Sequence, residues 1–198
     1  MQIDINSISK EYKKKNLLVI GDIILDAYIY GKVDRISQEA PVPILSIDKQ
    51  EFKPGGAANV ALNLCGLGAT VTLIGIAGND RNNTELKKCL TGQEKIKNEI
   101  IDLGPRPTTV KTRVIADGRQ IVRLDNEVTE EISDEQVSLL VDRFDNNCND
   151  VDGIIIQDYN KGLFTKRLIT HVIDHARDRE IPVYVDPKYC NYESFKGV

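Results

Sequence analysis

Three continuous apolar runs, each ending in an aspartate, constrain the fold of this chain most strongly. They are "LLVIG" before Asp22, "GIIIQ" before Asp158 and "VYV" before Asp186. Apolar runs of this length are typical of strands that are buried on both faces of a parallel sheet. Ligands of open parallel sheets bind beyond the carboxyl ends of the strands. The sequence therefore predicts a ligand cleft with these three aspartates at its rim.

Helical patterns lie between the apolar runs. Helices are predicted over residues 57–68 and 84–90, from a capping box of Ser133 and Gln136 to about residue 144, and around residues 168–176, where apolar residues share one face. Another strand is predicted to begin at residue 70. Strands and helices that alternate at this spacing predict an α/β fold with a doubly wound, mainly parallel sheet.

Two segments, at about residues 27–50 and 107–125, have strand patterns without accompanying helices. The second contains Asp117-Gly118, the signature of a tight hairpin turn. We expect both segments to form a small β lid over one rim of the main sheet. Because the open edge of a small sheet invites pairing, a homodimer through the lid is predicted. Residues 1–16 are interpreted as a polar N-terminal arm, and the length of 198 residues suits one domain.

The composition excludes several classes of partner. The formal net charge of −4 argues against nucleic acid, because binding to phosphate backbones needs a basic surface. The apolar runs are far shorter than a membrane span, so no membrane partner is expected. The start of the sequence does not have the pattern of a signal peptide, which favours a cytoplasmic protein with reduced thiols.

Metal binding is not predicted from the cysteines and histidines. The four cysteines are widely scattered and include no C-x-x-C pair. His171 and His175 are one helical turn apart, a spacing that can bind a metal, but the sequence pattern supplies no third ligand. We therefore interpret both histidines as surface residues.

The stretch "EFKPGGAANVALNL" (residues 51–64) places two glycines directly before a predicted helix. Gly55 and Gly56 allow the backbone to approach a ligand closely, and the first N–H groups of the helix suit an anionic or hydroxyl-rich ligand. Asn59 can donate to a sugar hydroxyl and accept from it. A plain glycine turn with Asn59 facing the solvent explains the same spacing equally well.

Two lysines follow the predicted strand tips. Lys161 comes three residues after Asp158, and Lys188 comes two residues after Asp186. Solvated surface lysines are the simplest interpretation, whereas their places beside the predicted rim favour contact with an anionic ligand. The residues alone leave both interpretations open.

Five segments together carry a resemblance to a known family. "VIGDIILDAYIYGKVDRISQEAPVPI" is followed by "KPGGAANVALNLCGLGA", "TTVKTRVIADGRQIVRLD", "DYNKG" and "VDPK". In this order they resemble the ribokinase-type (PfkB) sugar kinases. The resemblance implies that residues 17–198 are the N-terminal, sugar-binding part of a ribokinase-like kinase domain, without its nucleotide-binding half. The match around "RISQEAPVP" and "PGGAANVA" is similar to the bacterial kinases of D-glycero-β-D-manno-heptose 7-phosphate in particular.

The resemblance implies an activity as well as a fold. It implies ATP- and Mg²⁺-dependent phosphorylation of a small sugar phosphate, heptose 7-phosphate, at its anomeric hydroxyl. The product would be the 1,7-bisphosphate, a precursor of ADP-heptose and of the lipopolysaccharide core.

The resemblance also assigns roles to residues of this sequence. It implies a sugar-facing or sugar-phosphate-binding wall and a group near the phosphoryl-transfer centre. The residues of the wall are Asp22, Asp26, Arg35, Gly55, Gly56, Asn59 and Arg113. Of these, the two arginines belong to the lid and are the candidates for binding the 7-phosphate. The residues near the transfer centre are Asp158, Lys161, Asp186 and Lys188. The sequence departs from the family at Gln157, where serine is usual, and we expect little disturbance from this change.

The family's catalytic base lies in a Gly-Ala-Gly-Asp loop that does not occur in these 198 residues. "IAGND" (residues 76–80) looks similar, but in the family it belongs to the sugar side. No catalytic base is therefore expected within this chain, and we expect the chain by itself to be inactive. A non-catalytic phosphosugar-binding module and a dimerisation module are the alternatives.

Overall fold

The computed structural model describes residues 10–196, and the side chains of all of these except residues 189–191. In chain order the elements are β1 (Asn16–Gly21), β2 (Ile23–Ile36), β3 (Pro43–Gly56), α1 (Ala57–Leu67), β4 (Thr70–Gly78), α2 (Arg81–Leu90), β5 (Ile96–Leu103), β6 (Thr109–Ala116), β7 (Arg119–Asn126), α3 (Asp134–Asp145), β8 (Gly153–Gln157), α4 (Lys166–Asp178) and β9 (Val183–Asp186), followed by a 3₁₀ helix (Tyr189–Phe195).

The main layer is a five-stranded parallel sheet in the order β5-β4-β1-β8-β9. Successive residues of β1 point to opposite faces, as the pleat of a strand requires. Leu18 and Ile20 pack with residues of α3 and α4 in one apolar core, whereas Val19 packs with α1 and α2 in a second core. The predicted doubly wound α/β sheet is confirmed.

The lid is a four-stranded sheet in the order β3-β2-β6-β7. It is longer than the predicted segments 27–50 and 107–125, because β2 pairs with β3 along its whole length, from Ile23 opposite Gly56 to Ile36 opposite Pro43. Only Asp22 separates β1 from β2, so the lid grows directly out of the main sheet. The hairpin turn is confirmed: Asp117 and Gly118 both have positive φ, 49° and 77°.

Most predicted helices are confirmed, and the differences have local causes. The capping box of Ser133 and Gln136 is complete. The helix predicted from residue 84 begins at Arg81, because the Asp80 side chain accepts a hydrogen bond from the N–H of Asn83 and caps it. Strand β5 was not predicted, because its charged residues interrupt the apolar pattern, as an edge strand allows.

Much of the predicted N-terminal arm, residues 1–9, lies outside the described residues. Residues 10–12 form a helical turn, and β1 begins at Asn16. Among the described helices, none has both the length and the apolar character needed to cross a membrane.

Candidate functional site

The three strand-tip aspartates meet at one edge of the sheet, as the sequence predicts. Strands β1, β8 and β9 are neighbours, and backbone hydrogen bonds tie their ends together. The N–H of Asp22 donates to the carbonyl of Gln157 (3.0 Å), and the N–H of Asp158 donates to the carbonyl of Asp186 (3.1 Å). This edge, with the adjoining ends of the lid strands, is called the rim below.

Asp22 lies at the centre of the rim and is only 3% exposed. Its Oδ2 accepts hydrogen bonds from the backbone N–H of Tyr159 (2.7 Å) and of Lys161 (3.2 Å). Burial raises the pKa of this carboxyl to about 6, and the nearby Asp158 carboxylate adds to the rise, although the two backbone hydrogen bonds oppose it. Asp22 is therefore a buried carboxyl whose charge is costly at neutral pH.

Gly55 and Gly56 are required where β3 passes close to two aspartates. A Cβ on Gly56 would lie 2.3 Å from the carbonyl oxygen of Asp22, and one on Gly55 would lie 2.4 Å from Oδ2 of Asp26. Gly56 also has φ 54° at the N-cap of α1, in a region that favours glycine. The next N–H, that of Ala57, donates to the Asp22 carbonyl (3.0 Å), so α1 begins at the rim.

Asn59 is exposed in the first turn of α1. Within the part of the chain that the structure describes, its side-chain amide forms no hydrogen bond. It stands two residues after Ala57, whose N–H bonds the Asp22 carbonyl, and its side chain faces the solvent. The structure leaves both sequence interpretations of Asn59 open.

The lid contributes an ion pair between Asp26 on β2 and Arg113 on β6. Nη1 of Arg113 lies 2.5 Å from Oδ1 of Asp26, and the guanidinium carbon lies 5.3 Å from the centre of the Tyr28 ring. Both charged side chains are partly buried. The ion pair and the ring contact hold the Arg113 guanidinium next to the carboxylate that Gly55 faces.

Arg35 is not brought to the rim within the chain. It is exposed and lies nine residues beyond Asp26 on β2, a distance of about 30 Å at about 3.3 Å per strand residue. The two lid arginines that the resemblance implies for phosphate binding therefore lie apart: Arg113 is at the rim and Arg35 is near the far end of the lid.

Lys161 reaches the rim as an ion-paired side chain. Its Nζ lies 2.8 Å from Oε1 of Glu127, and Oε2 of the same carboxylate lies 2.9 Å from Nζ of Lys111. Burial pushes the pKa of Glu127 upward, but the hydrogen bonds from Lys161 and Lys111 outweigh it and keep the pKa below its usual value. Glu127 thereby fixes the position of the Lys161 ammonium group.

The remaining predicted residues lie where β8 and β9 end. Asp158 is buried, and its Oδ1 accepts from the N–H of Asn160 (2.7 Å). Asp186 is exposed, and its Oδ2 accepts from the side-chain amide of Gln157 (2.6 Å). The departure from the family at Gln157 thus supports a rim carboxylate. Lys188 is exposed two residues beyond it.

Two residues of the rim, Arg106 and Tyr159, are not predicted from the sequence. Arg106 donates to the carbonyls of Val128 (2.9 Å), Glu130 (3.1 Å) and Lys161, and joins the lid to the loop after β8. Its position between two prolines was a signal for a rigidly held side chain. Tyr159 lies beside Asp22, to which its N–H donates (2.7 Å), and burial first, and then the charges of the rim aspartates, raise the pKa of its phenol.

Asp80, the aspartate of "IAGND", has a structural role. Besides capping α2, it accepts hydrogen bonds from the backbone N–H and the hydroxyl of Thr108, both at 2.8 Å. The hydroxyl oxygen of Thr108 also accepts from the N–H of Gly78 (2.9 Å). Asp80 therefore ties the end of β4 to the start of the lid.

The fold agrees with the similarity of this chain to known proteins. The family model described as pfkB family carbohydrate kinase matches residues 14–197. The chain belongs to the pfkB carbohydrate kinase family. Membership confirms the family resemblance of the sequence and identifies the chain as part of the carbohydrate kinases.

Curated pfkB relatives include the "Bifunctional protein HldE" of two bacteria. The protein of Geobacter sulfurreducens is 42% identical over 182 residues, which cover 92% of this chain and 37% of the relative. The protein of Vibrio atlanticus is 38% identical over 190 residues, which cover 96% of this chain and 39% of the relative. The chain thus spans about two fifths of the length of these relatives.

Solved pfkB-type structures have the same fold. A possible 1-phosphofructokinase from Thermotoga maritima superposes with a TM-score of 0.71 at 20% identity, covering 91% of this chain and 56% of that one. Phosphofructokinase-2 from Escherichia coli superposes with a TM-score of 0.70 at 17% identity, covering 91% and 57%. At this identity the likeness concerns the fold alone.

Proposed function

We propose that this chain forms the sugar-binding side of a kinase for D-glycero-D-manno-heptose 7-phosphate. The observation that carries the proposal is the rim itself, where the buried Asp22, the glycine pair of β3 and the Asp26–Arg113 ion pair converge. The similarity to the two HldE proteins supports heptose 7-phosphate as the sugar.

The chemistry of the rim suits a hydroxyl-rich anion. Carboxylates accept hydrogen bonds from sugar hydroxyls, and Asn59 can both accept and donate. Arg113 offers a guanidinium to a phosphate, for which its fork of donors is well matched. Because Asp26 already holds this guanidinium in place, little side-chain freedom is lost when a phosphate binds.

The edge at β8 and β9 fits the phosphates of Mg²⁺-ATP. Lys188 presents an exposed ammonium and Asp186 an exposed carboxylate, the donor types that suit phosphate and Mg²⁺ respectively. When bound, ATP would supply the phosphoryl group for the anomeric hydroxyl. Lys161, held by Glu127, would keep a positive charge between the two ligands.

The same proposal states that the 198-residue chain binds the sugar phosphate without phosphorylating it. The Gly-Ala-Gly-Asp segment is not among these residues, and the aspartate of "IAGND" is engaged by Thr108. A coupled ADP-release assay with heptose 7-phosphate, ATP and Mg²⁺ should give no turnover above background. Robust turnover by the 198-residue chain would refute this part.

Ligand-induced stabilisation tests the sugar. Urea unfolding of the chain should shift to higher stability with heptose 7-phosphate, by about 2.7 kcal/mol at a hundredfold excess over Kd, and much less with fructose 6-phosphate at the same concentration. Asp26→Asn should weaken this shift, since it loosens Arg113 as well as removing a carboxylate. Asp150→Asn, in the exposed loop before β8, is the matched control and should keep the shift. Equal shifts with both sugars would refute the heptose assignment.

We also propose that the lid mediates a homodimer. Its strands carry apolar side chains that are more than half exposed, and this observation favours burial against a second copy. They include Ile36, Ile47, Ile121 and Leu124. Light scattering should show a dimer for the chain and a monomer for Ile121→Lys. Leu139→Lys, at a similarly exposed position on α3, should remain a dimer. A monomer at every concentration of the unchanged chain would refute the proposal.

A further inference from the structure

Three side chains with metal-binding atoms, those of Asp145, His171 and His175, converge at the end of the sheet opposite the rim, and the thiol of Cys148 lies against His175. Asp145 is the last residue of α3, and Cys148 follows in the loop that leads to β8. His171 and His175 lie one turn apart on α4. Because the loop after α3 enters β8 at its amino end, this cluster is separated from the rim by the length of the strand.

The atoms of the cluster are close to one another. One ligand atom each from Asp145, His171 and His175 lies within 4.8 Å of the other two. Nε2 of His171 is 2.7 Å from Oδ1 of Asp145, and Nδ1 of His175 is 3.8 Å from the same oxygen. Sγ of Cys148 is 2.8 Å from Nε2 and 3.9 Å from Nδ1 of His175.

The surroundings hold the cluster rigid but leave it accessible. Cys148 is fully buried, and His175 is largely buried. The ring of Phe144 packs edge-on against both imidazoles, with centroid distances of 6.0 Å to His171 and 5.1 Å to His175. Asp145 is nearly half exposed, so an ion can enter from the solvent on its side.

We propose that Asp145, His171 and His175 bind Zn²⁺ or a similar divalent transition metal, and that Cys148 becomes the fourth ligand when its side chain turns toward the ion. The donor set of one thiolate, two imidazoles and one carboxylate is the kind that Zn²⁺ takes in tetrahedral sites. Four protein ligands would close the site, so its role is structural: it would fasten the end of α3 to α4.

Three ligand atoms already converge, whereas the side chain of Cys148 must turn to meet the ion, because its sulfur is not among the atoms that lie within 4.8 Å of one another. Bond lengths of about 2.0–2.3 Å in a tetrahedron place neighbouring ligand atoms about 3.3–3.6 Å apart. The separations from Nδ1 of His175 to the Asp145 oxygen and to the Cys148 sulfur exceed this range slightly, and the His171–Asp145 contact is shorter than it.

Binding must also release a proton. The thiol of Cys148 loses its proton to become a thiolate ligand, while the two imidazoles bind in their neutral form and Asp145 as a carboxylate. Without a metal, the same residues make a thiol–imidazole and a carboxylate–imidazole hydrogen bond. The competing explanation is therefore a hydrogen-bonded cluster that binds no ion.

The structure corrects the interpretation of the two histidines as surface residues without a third ligand. The third ligand is Asp145, 26 residues before His171, and the fourth is Cys148, 27 residues before His175. Their approach depends on the packing of α3 against α4, which the local spacing in the sequence does not reveal.

Titration with Co²⁺ tests the site in the full 198-residue chain, prepared free of metal with a chelator. We expect one equivalent of Co²⁺ to bind, with the intense visible absorption of tetrahedral cobalt and a near-ultraviolet sulfur-to-cobalt charge-transfer band. Stoichiometric Zn²⁺ should abolish both signals. Thermal unfolding should move to higher temperature with Zn²⁺.

Variants assign the signal to the four residues. Cys148→Ser should abolish the charge-transfer band, and His171→Gln should lower the affinity for Co²⁺ by at least about tenfold. Cys65→Ser and Cys89→Ser are the matched controls, and both should behave as the unchanged chain. His171→Gln is the safer variant for folding, because His171 is more exposed than the buried Cys148.

Two results would overturn the proposal. One is the absence of saturable binding at one equivalent in the unchanged chain. The other is unchanged affinity in His171→Gln together with an unchanged charge-transfer band in Cys148→Ser, which would show that Co²⁺ binds elsewhere. Far-ultraviolet circular dichroism of each variant establishes that it is folded before the titration is interpreted.

Discussion

Replacing Asp22 by asparagine should make the stability of this protein less dependent on pH. Asp22 is buried at the rim, and burial raises its pKa from 3.8 to about 6. Asparagine has nearly the same shape, and its oxygen can accept from the same two N–H groups, those of Tyr159 and Lys161. The substitution therefore removes the charge while it keeps the hydrogen bonds.

The sign and the size follow from the pKa. Between about pH 4 and pH 6 the unfolded chain has released the proton of Asp22, whereas the folded protein still binds it, so the free energy of unfolding falls as the pH rises. Above about pH 6 Asp22 is ionised in both the folded and the unfolded state, and its unfavourable contribution to the free energy of unfolding stays constant. A rise from 3.8 to about 6 corresponds to about 3 kcal/mol, since one pH unit is worth about 1.4 kcal/mol.

Urea unfolding of the unchanged chain and of Asp22→Asn at pH 4 and at pH 7 measures this cost. From pH 4 to pH 7, the free energy of unfolding of the variant should rise by about 3 kcal/mol relative to that of the unchanged chain. Asp152→Asn is the matched control with the opposite sign. Hydrogen bonds from Lys15 and from the N–H of Asn16 lower the pKa of Asp152, so its charge stabilises the folded state above about pH 4. A stability difference for Asp22→Asn that does not change with pH would contradict a raised pKa of the buried Asp22.

Three further substitutions test the packing around the site, each by urea unfolding. Gly56→Ala should lower the free energy of unfolding by at least about 2 kcal/mol, because residue 56 has positive φ and the new Cβ would lie 2.3 Å from the Asp22 carbonyl oxygen. Gly66→Ala is the control and should be neutral or stabilising, because its Cβ would meet nothing within 4 Å. Equal effects of the two substitutions would contradict this. Ser133→Ala should cost about 1 kcal/mol through loss of the capping box, and no change would show that the cap is dispensable. Arg106→Met should cost about 1–3 kcal/mol, because the carbonyls that it bonds lose their donor, and an unchanged midpoint would contradict this.

The parts of the fold that depend on local pattern could be predicted from the sequence. The apolar runs before Asp22 and Asp158 identified buried parallel strands, and the rule that such strands end at one edge placed the aspartates together. The run before Asp186 is a parallel strand too, but the prediction that it is buried on both faces was wrong, because β9 is at the edge of the sheet and Tyr184 is 63% exposed. The capping box at Ser133 and the hairpin at Asp117 are likewise properties of a few neighbouring residues, and both are confirmed.

The parts that depend on tertiary packing could not be predicted. Arg106 bonds the Lys161 carbonyl across 55 residues, and Glu127 joins Lys111 to Lys161 because β7 ends beside the loop after β8. Arg35 is far from the rim because β2 continues as a strand to Ile36, with two register shifts against β3 on the way. Contacts of this kind follow from the register of strands, and a single sequence does not specify that register.

Calorimetric titration of the 198-residue chain with D-glycero-β-D-manno-heptose 7-phosphate measures whether the rim binds this sugar phosphate. We expect saturable binding of one sugar phosphate per chain, weaker binding of the same heptose without its phosphate, and loss of that difference in Arg113→Gln. Absence of heat with the sugar phosphate, in a chain shown to be folded, would contradict the claim that the rim is a sugar-phosphate site.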